Sequence, residues 1–186
     1  MVLILDSKTA MAIEEAILVL TEGGTLIYPT DTLYGIGGDA TSEKAVARIH
    51  KIKGADVKKP LSVMMADLEM IRRYCDVGLK EEGEMKKKLP GPYTFLLKQK
   101  TKIPASDGEK LGVRIPDDEF CRFLCKKFGK PIVTTSANIT KQKPPTSIED
   151  VDKLVLEAVD LAIDGGKTKY KKPSEIIDLV EGKRIR

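Results

Sequence analysis

Three polar segments, far apart in the chain, carry side chains suited to holding an anion. They are Pro29-Thr30-Asp31-Thr32, Thr134-Thr135-Ser136-Ala137-Asn138 and Lys172-Pro173-Ser174. Hydroxyls, amides and neighbouring backbone N–H groups hold carboxylate or phosphate oxygens with little bulk. Cations lie close by in the sequence. Lys51 and Lys53 close an amphipathic stretch, Lys58 and Lys59 follow it, and Arg114 sits inside the apolar run Leu111-Gly112-Val113-Arg114-Ile115. A guanidinium in an apolar strand needs a partner. Two kinds are open to it: a bound carboxylate or phosphate, gripped bidentately, or an internal Asp or Glu. The other groups also have plainer readings, the polar segments as turns and backbone caps and the lysines as a solvated helix end favoured by the dipole.

Positioning these segments requires buried strands that end at them. Val2–Leu5, Thr25–Tyr28, Pro60–Met65, Tyr93–Leu97, Leu111–Ile115, Pro131–Thr135 and Leu161–Ile163 read as short strands. A hairpin around Glu181-Gly182 is predicted to join Ser174–Val180 to Lys183–Arg186. Helices are predicted after caps at Ser7, at Thr41 or Ser42, at Asp67, Asp117 and Ser147, with a charged helix over about Leu79 to Leu89. The helix after Asp117 is read with Phe120, Phe123 and Leu124 inward, and His50 as an exposed helical residue. Helices and strands alternate, yet some strands are joined by short turns. The pattern predicts one α/β domain over residues 1–186, a twisted mixed parallel and antiparallel sheet with flanking helices around a basic cavity. In open α/β sheets ligands sit beyond the carboxyl ends of strands, where the three polar segments fall.

Composition removes several function classes. The 186 residues are 41% hydrophobic and 32% charged, an ordinary globular balance. Aromatic residues are 5% with no Trp, a poor supply of stacking platforms for single-stranded nucleic acid. The formal charge of +4 is well short of a dedicated DNA-binding domain. Cys75, Cys121 and Cys125 are too few and odd in number for a disulfide framework, which predicts a reducing, cytoplasmic setting. No signal peptide and no apolar run of membrane-spanning length is read, so no membrane partner is expected. Cys121 and Cys125 share one helical face, but with His50 on another helix no metal site built from protein ligands is expected. There is no phosphate-binding GxxxxGK[ST] loop, Gly35-Ile36-Gly37-Gly38 lacks dinucleotide-fold spacing, and one histidine gives no argument for a hydrolytic triad.

Seven segments in order resemble the YrdC-type threonylcarbamoyl-AMP synthase family. They are Pro29-Thr30-Asp31-Thr32-Leu33-Tyr34-Gly35-Ile36-Gly37, Lys51-Ile52-Lys53-Gly54, Lys59-Pro60-Leu61, Leu89-Pro90-Gly91-Pro92-Tyr93-Thr94, Val113-Arg114-Ile115-Pro116, Ser136-Ala137-Asn138, and Pro173-Ser174 with Ile176-Ile177-Asp178-Leu179. The resemblance implies a nucleotidyltransferase: L-threonine, bicarbonate and ATP give threonylcarbamoyl-adenylate and pyrophosphate, for threonylcarbamoylation of an adenosine in tRNA. By resemblance, Thr30, Thr32, Arg114, Thr134 and Ser174 would hold threonine. Lys53, Lys59, Ser136, Asn138 and Arg186 would hold ATP, with Mg²⁺ on its phosphates. No nucleophile is implied; Lys53, Arg114 and Ser136 would act by positioning.

Three positions depart from the family pattern. Lys53-Gly54-Ala55 stands where Lys-x-Arg is usual, so a phosphate-binding arginine is missing, and Lys58 or Lys59 is the nearest replacement charge. Met64 stands where many members have His. Glu175 stands where many have Thr, and a carboxylate beside ATP would repel it. These departures keep a second reading open, a diverged paralogue that binds nucleotide or RNA without synthase activity. Lys86, Lys87, Lys88, Lys126, Lys127 and Lys130 would supply an RNA-facing surface in that case, with tRNA or tRNA-modification proteins as partners.

Overall fold

The computed structural model describes residues 2–57, 59–106 and 108–186. β1 (Leu3–Asp6) opens the chain and α1 (Ala10–Thr21) follows. The cap of α1 is Thr9, whose Oγ1 accepts from Ala12 N at 3.2 Å, and not Ser7, whose N–H is drawn off to Asp164 O at 2.8 Å. β2 (Thr25–Tyr28) is wholly buried and leads into the first polar segment. β3 (Gly35–Gly38) was not anticipated, because a glycine run has little intrinsic strand preference. Its glycines permit a close approach: a Cβ on Gly37 would stand 2.5 Å from Tyr28 Cε1 and 3.0 Å from Val133 O.

α2 (Glu43–Lys53) is capped by Ser42 and ends at Gly54, whose φ of +55° suits glycine. β4 is only Val63–Met64, much shorter than the strand read over residues 60–65. α3 (Leu68–Tyr74) starts on the Asp67 cap, and α4 (Leu79–Lys86) carries the charged stretch. β5 (Tyr93–Lys98) and β6 (Lys110–Arg114) pair antiparallel. α5 (Glu119–Phe128) is capped by Asp118, whose Oδ1 accepts from Cys121 N at 2.9 Å. The expected cap, Asp117, instead pairs with Lys169 at 2.8 Å. Phe123 also departs from expectation: it is exposed, with Lys127 Nζ 5.5 Å from its ring centre.

The strand read over residues 131–135 is two strands. β7 (Ile132–Val133) pairs with β4, and β8 (Thr135–Ser136) pairs with β3. Thr134 is the joint, its N–H donated to Ser62 O at 2.8 Å. Ser147 opens only a 3-10 turn at Ile148–Asp150, with its N–H on Asp150 Oδ2 at 3.1 Å. α6 (Lys153–Glu157) then leads to β9 (Leu161–Asp164). β10 (Glu175–Asp178) and β11 (Lys183–Arg184) form the expected closing hairpin.

The strands divide into two mixed sheets. One has the order β1-β9-β2-β3-β8, the other β11-β10-β5-β6-β4-β7. α1 packs on β1, β2 and β9 and against α5, and α2 packs on β2 and β3. The core runs through both sheets, from Leu26 and Ile36 to Val63, Phe95 and Val113. The α/β class with mixed pairing and flanking helices is as anticipated, with the strands partitioned between two layers.

Candidate anion site between the sheets

A cavity of about 360 Å³ opens between the two sheets. Its wall takes Gly35, Thr135 and Ser136 from one sheet, and Thr94, Arg114 and Ile176 from the other. All ten residues assigned from the sequence reach this one cavity: Thr30, Thr32, Arg114, Thr134 and Ser174, and Lys53, Lys59, Ser136, Asn138 and Arg186.

The first segment is held by its own hydroxyls. Thr30 Oγ1 accepts from Thr32 N at 3.1 Å and from Leu33 N at 3.2 Å, and it donates to Leu33 O at 2.7 Å. Its proton being so directed, the Thr32 hydroxyl bridges to Thr30 Oγ1 at 3.0 Å. Thr32 Oγ1 also accepts from Arg114 Nη1 at 2.9 Å. Arg114 Nη2 is paired with the fully buried Asp31 carboxylate. Asp31 Oδ2 accepts from Asp117 N at 3.1 Å, and Asp31 O accepts from Tyr170 N at 2.9 Å. Of the two partners open to Arg114, the internal carboxylate is thus present. Arg114 Nε remains buried without a partner among the described residues.

Lys53 is no solvated helix end. It is buried, and Nζ donates to Ser136 O at 2.5 Å and Asn138 O at 2.9 Å, so α2 braces the Ser136–Asn138 segment. Burial, and then the like charge of Lys59, lower its ammonium to about 8. Asn138 Nδ2 donates to Ile139 O at 2.8 Å and Gln142 O at 2.9 Å, which fixes the amide and leaves Oδ1 buried and unpartnered. Across the cavity Thr94 Oγ1 and Ser174 Oγ share a hydrogen bond of 2.8 Å. Arg186 Nε donates to Ser174 O at 3.1 Å, and its main chain pairs with Ile176, so the arginine is tethered to β10.

Asp31, Tyr34, Thr94 and Lys141 are cavity-wall or cavity-supporting residues not assigned from the sequence. Asp31 had a signal, being an acid directly after a buried strand when Arg114 needed one. Tyr34 reads as core, yet its hydroxyl accepts from Gly165 N at 3.0 Å and donates to Gly166 O at 2.8 Å. Lys141 has no such signal. Lys58 lies outside the described residues.

The three family departures look different in place. Ala55 does line the cavity. Met64 is fully buried in the core and does not reach the cavity wall. Ser174 and Ile176 face the cavity, so strand alternation turns Glu175 away. Its carboxylate pairs with Arg184 at 3.1 Å, which corrects the expectation that it would repel a bound phosphate.

His50 is another correction: it is buried, not exposed, and burial lowers its imidazole despite the charge of Asp56. The cysteines are buried thiols. Burial pushes Cys75 and Cys125 up to about 12 and Cys121 well above its ordinary value, leaving no reactive thiolate there. Among the described residues no helix is long and apolar enough to cross a membrane, and no group of three or more His, Cys, Asp or Glu side chains is placed to hold a metal ion.

Fold and site together define a small α/β protein with a cavity lined by hydroxyls and cations between two sheets. The profile of the Sua5/YciO/YrdC family, described as "Telomere recombination", matches residues 18–186, and the chain belongs to that family. A Methanocaldococcus jannaschii protein named as a candidate threonylcarbamoyl-AMP synthase is 42% identical over 167 residues, covering 89% of this chain and 79% of its own. A threonylcarbamoyl-AMP synthase of Xanthomonas euvesicatoria is 31% identical over 180 residues, covering 94% and 96%. The crystal structure of P. abyssi Sua5 complexed with L-threonine superposes with a TM-score of 0.89 at 29% identity. It covers 99% of this chain, which spans only 56% of the Sua5 chain.

Proposed function

We propose that this protein condenses L-threonine, bicarbonate and ATP into threonylcarbamoyl-adenylate and pyrophosphate. The observation that carries this reading is the convergence of ten hydroxyl, amide and cationic residues, from strands, α2 and the connecting segments, on one cavity. It is joined by relatives that share this activity in their names. The threonine amine and bicarbonate form a carbamate with loss of water. A carbamate oxygen then attacks the α-phosphorus, and pyrophosphate leaves. Bicarbonate, the carbamate and ATP are all anionic, so the protein's task is to bring like charges together and neutralise what develops.

Threonine fits the side built from Thr30, Thr32, Arg114, Thr134 and Ser174. ATP fits the side built from Lys53, Lys59, Ser136, Asn138 and Arg186. Asp31 already neutralises part of the Arg114 charge. Arg114 therefore acts through its remaining N–H groups, which suits a single carboxylate better than a polyphosphate. Mg²⁺ would enter on the triphosphate and supply charge neutralisation there.

The product would serve tRNA modification in the cytoplasm, through transfer to an adenosine. The lysines proposed as an RNA-facing surface support that role weakly. Lys86, Lys87 and Lys130 are paired with Glu82, Glu84 and Asp39, and Lys88 and Lys127 sit over Tyr93 and Phe123. Pyrophosphate release with ATP, bicarbonate and each amino acid in turn tests the proposal. Release that depends on both bicarbonate and threonine is the expected result. No release with threonine, or equal release with alanine, would reject it.

A further inference from the structure

Among the described residues five cations line the cavity: Lys53, Lys59, Arg114, Lys141 and Arg186. Three are committed to the protein. Lys53 braces Ser136 O and Asn138 O, Arg114 pairs with Asp31, and Arg186 Nε donates to Ser174 O. The ammonium groups of Lys59 and Lys141 have no hydrogen-bond acceptor or anionic partner among the described residues. Lys59 lies on the segment after α2 and adds its charge to that of Lys53. Lys141 belongs to a separate loop, and its backbone sets it apart.

Lys141 has φ of +75°, a left-handed conformation that costs an L side chain and that glycine adopts freely. Such a residue persists where its surroundings over-determine it. They do so here. Thr140 N and Thr140 Oγ1 both donate to Lys53 O at 2.9 Å, one residue before Lys141. One residue after it, Gln142 N donates to Ile139 O at 3.0 Å, and Gln142 O receives Asn138 Nδ2 at 2.9 Å. The loop is thus fastened to Lys53, the last residue of α2, two residues before Ala55. A position whose backbone favours glycine bears instead a long cation on the wall of the same cavity that Ala55 lines without a charge.

We propose that Lys141 is a phosphate-contacting residue, its ammonium meeting the β- and γ-phosphates of ATP opposite Lys59. The inference rests on the adenylate-forming reading above and assigns a part of it to a residue outside the matched segments. As the bond between the α-phosphorus and its bridging oxygen breaks, charge builds on the departing pyrophosphate. A fixed cation at that end stabilises it. Lys53, lowered by burial, is a weaker source of that charge above neutral pH, which leaves Lys59 and Lys141 to supply it beside Arg186.

The test is calorimetric titration of the full chain with a methylene-bridged ATP analogue and, separately, with L-threonine, for the wild type, K141G and K141R. K141G is expected to raise the analogue's Kd about five- to tenfold, to leave threonine affinity unchanged, and to melt no lower than the wild type because glycine relaxes the backbone. K141R is expected to keep the analogue's Kd within about twofold, since the charge is retained. A wild type that binds the analogue, with a K141G Kd within twofold of it, overturns the inference and leaves the adenylate reading standing. A K141G protein that melts several degrees lower makes Lys141 a structural residue and overturns it too. A wild type that binds no analogue removes the adenylate reading itself, and Lys141 as an ATP ligand with it.

Discussion

Replacing Asp31 with asparagine isolates what holds Arg114 in place. Asp31 uses both carboxylate oxygens: one faces Arg114 Nη2, the other accepts from Asp117 N at 3.1 Å. An asparagine has one oxygen and one amide NH2, so either Arg114 or the Asp117 N–H must face another donor. The variant leaves Arg114 buried without its carboxylate and also spoils one hydrogen bond. Removing one member of a buried ion pair costs about 3–5 kcal/mol. The lost acceptor costs about 1–3 kcal/mol and is partly included in that figure. With Arg114 only 7% exposed at its side chain, solvent offers little relief. Taking about 3–4 kcal/mol, and roughly 2–4 °C per kcal/mol for a chain of this size, Asp31→Asn should lower the melting temperature by about 10 °C. The double variant with Arg114→Gln should lose less than the sum of the two single losses, because the uncompensated charge is gone. Thermal melts of the four proteins provide the cycle. Additive losses, or an Asp31→Asn protein that melts with the wild type, would refute the ion pair as the anchor of Arg114.

Three further outcomes follow from the geometry. Lys53 titrates near 8 in the folded chain, below the 10.5 of a free lysine, so ATP affinity measured by titration should fall as pH rises through 8, while the two bonds to Ser136 O and Asn138 O survive on a neutral amine. The sign for stability is opposite: the burial cost is fully present below pH 8 and is relieved between there and 10.5, so denaturant midpoints should not drop over that window on account of this group. Glu175→Thr should leave the rate of pyrophosphate release within about twofold, since the side chain faces Arg184 and an exposed pair contributes at most about 1 kcal/mol. Gly37→Ala should destabilise by about 1–3 kcal/mol in urea unfolding, as its Cβ meets Tyr28 Cε1 at 2.5 Å in a packed sheet.

Much of the site was legible because its residues are chemically out of place. An arginine in an apolar strand and hydroxyl-rich turns after buried strands declare a purpose that periodicity alone does not. The resemblance then placed ten residues that the fold gathers to one cavity. The fold class was legible from alternation and short connections. What was not legible depends on neighbours distant in sequence. β3 is a strand because β2 and β8 pair with it on either side. Thr9 and Asp118 win the caps because β9 takes the Ser7 N–H and Lys169 takes Asp117. Glu175 looked hostile to phosphate until strand alternation turned it outward.

The joint at Thr134 has a mechanical consequence. A single residue carries the chain from a strand of one layer to a strand of the other, and the bridge between Asp39 and Ile132 ties the layers again beside it. The two walls therefore cannot swing apart like a book without tearing backbone pairing at the spine. Room for substrates to enter and pyrophosphate to depart must then come from the connecting segments in the lining, among them residues 139–144, which supply Thr140, Lys141 and Pro144.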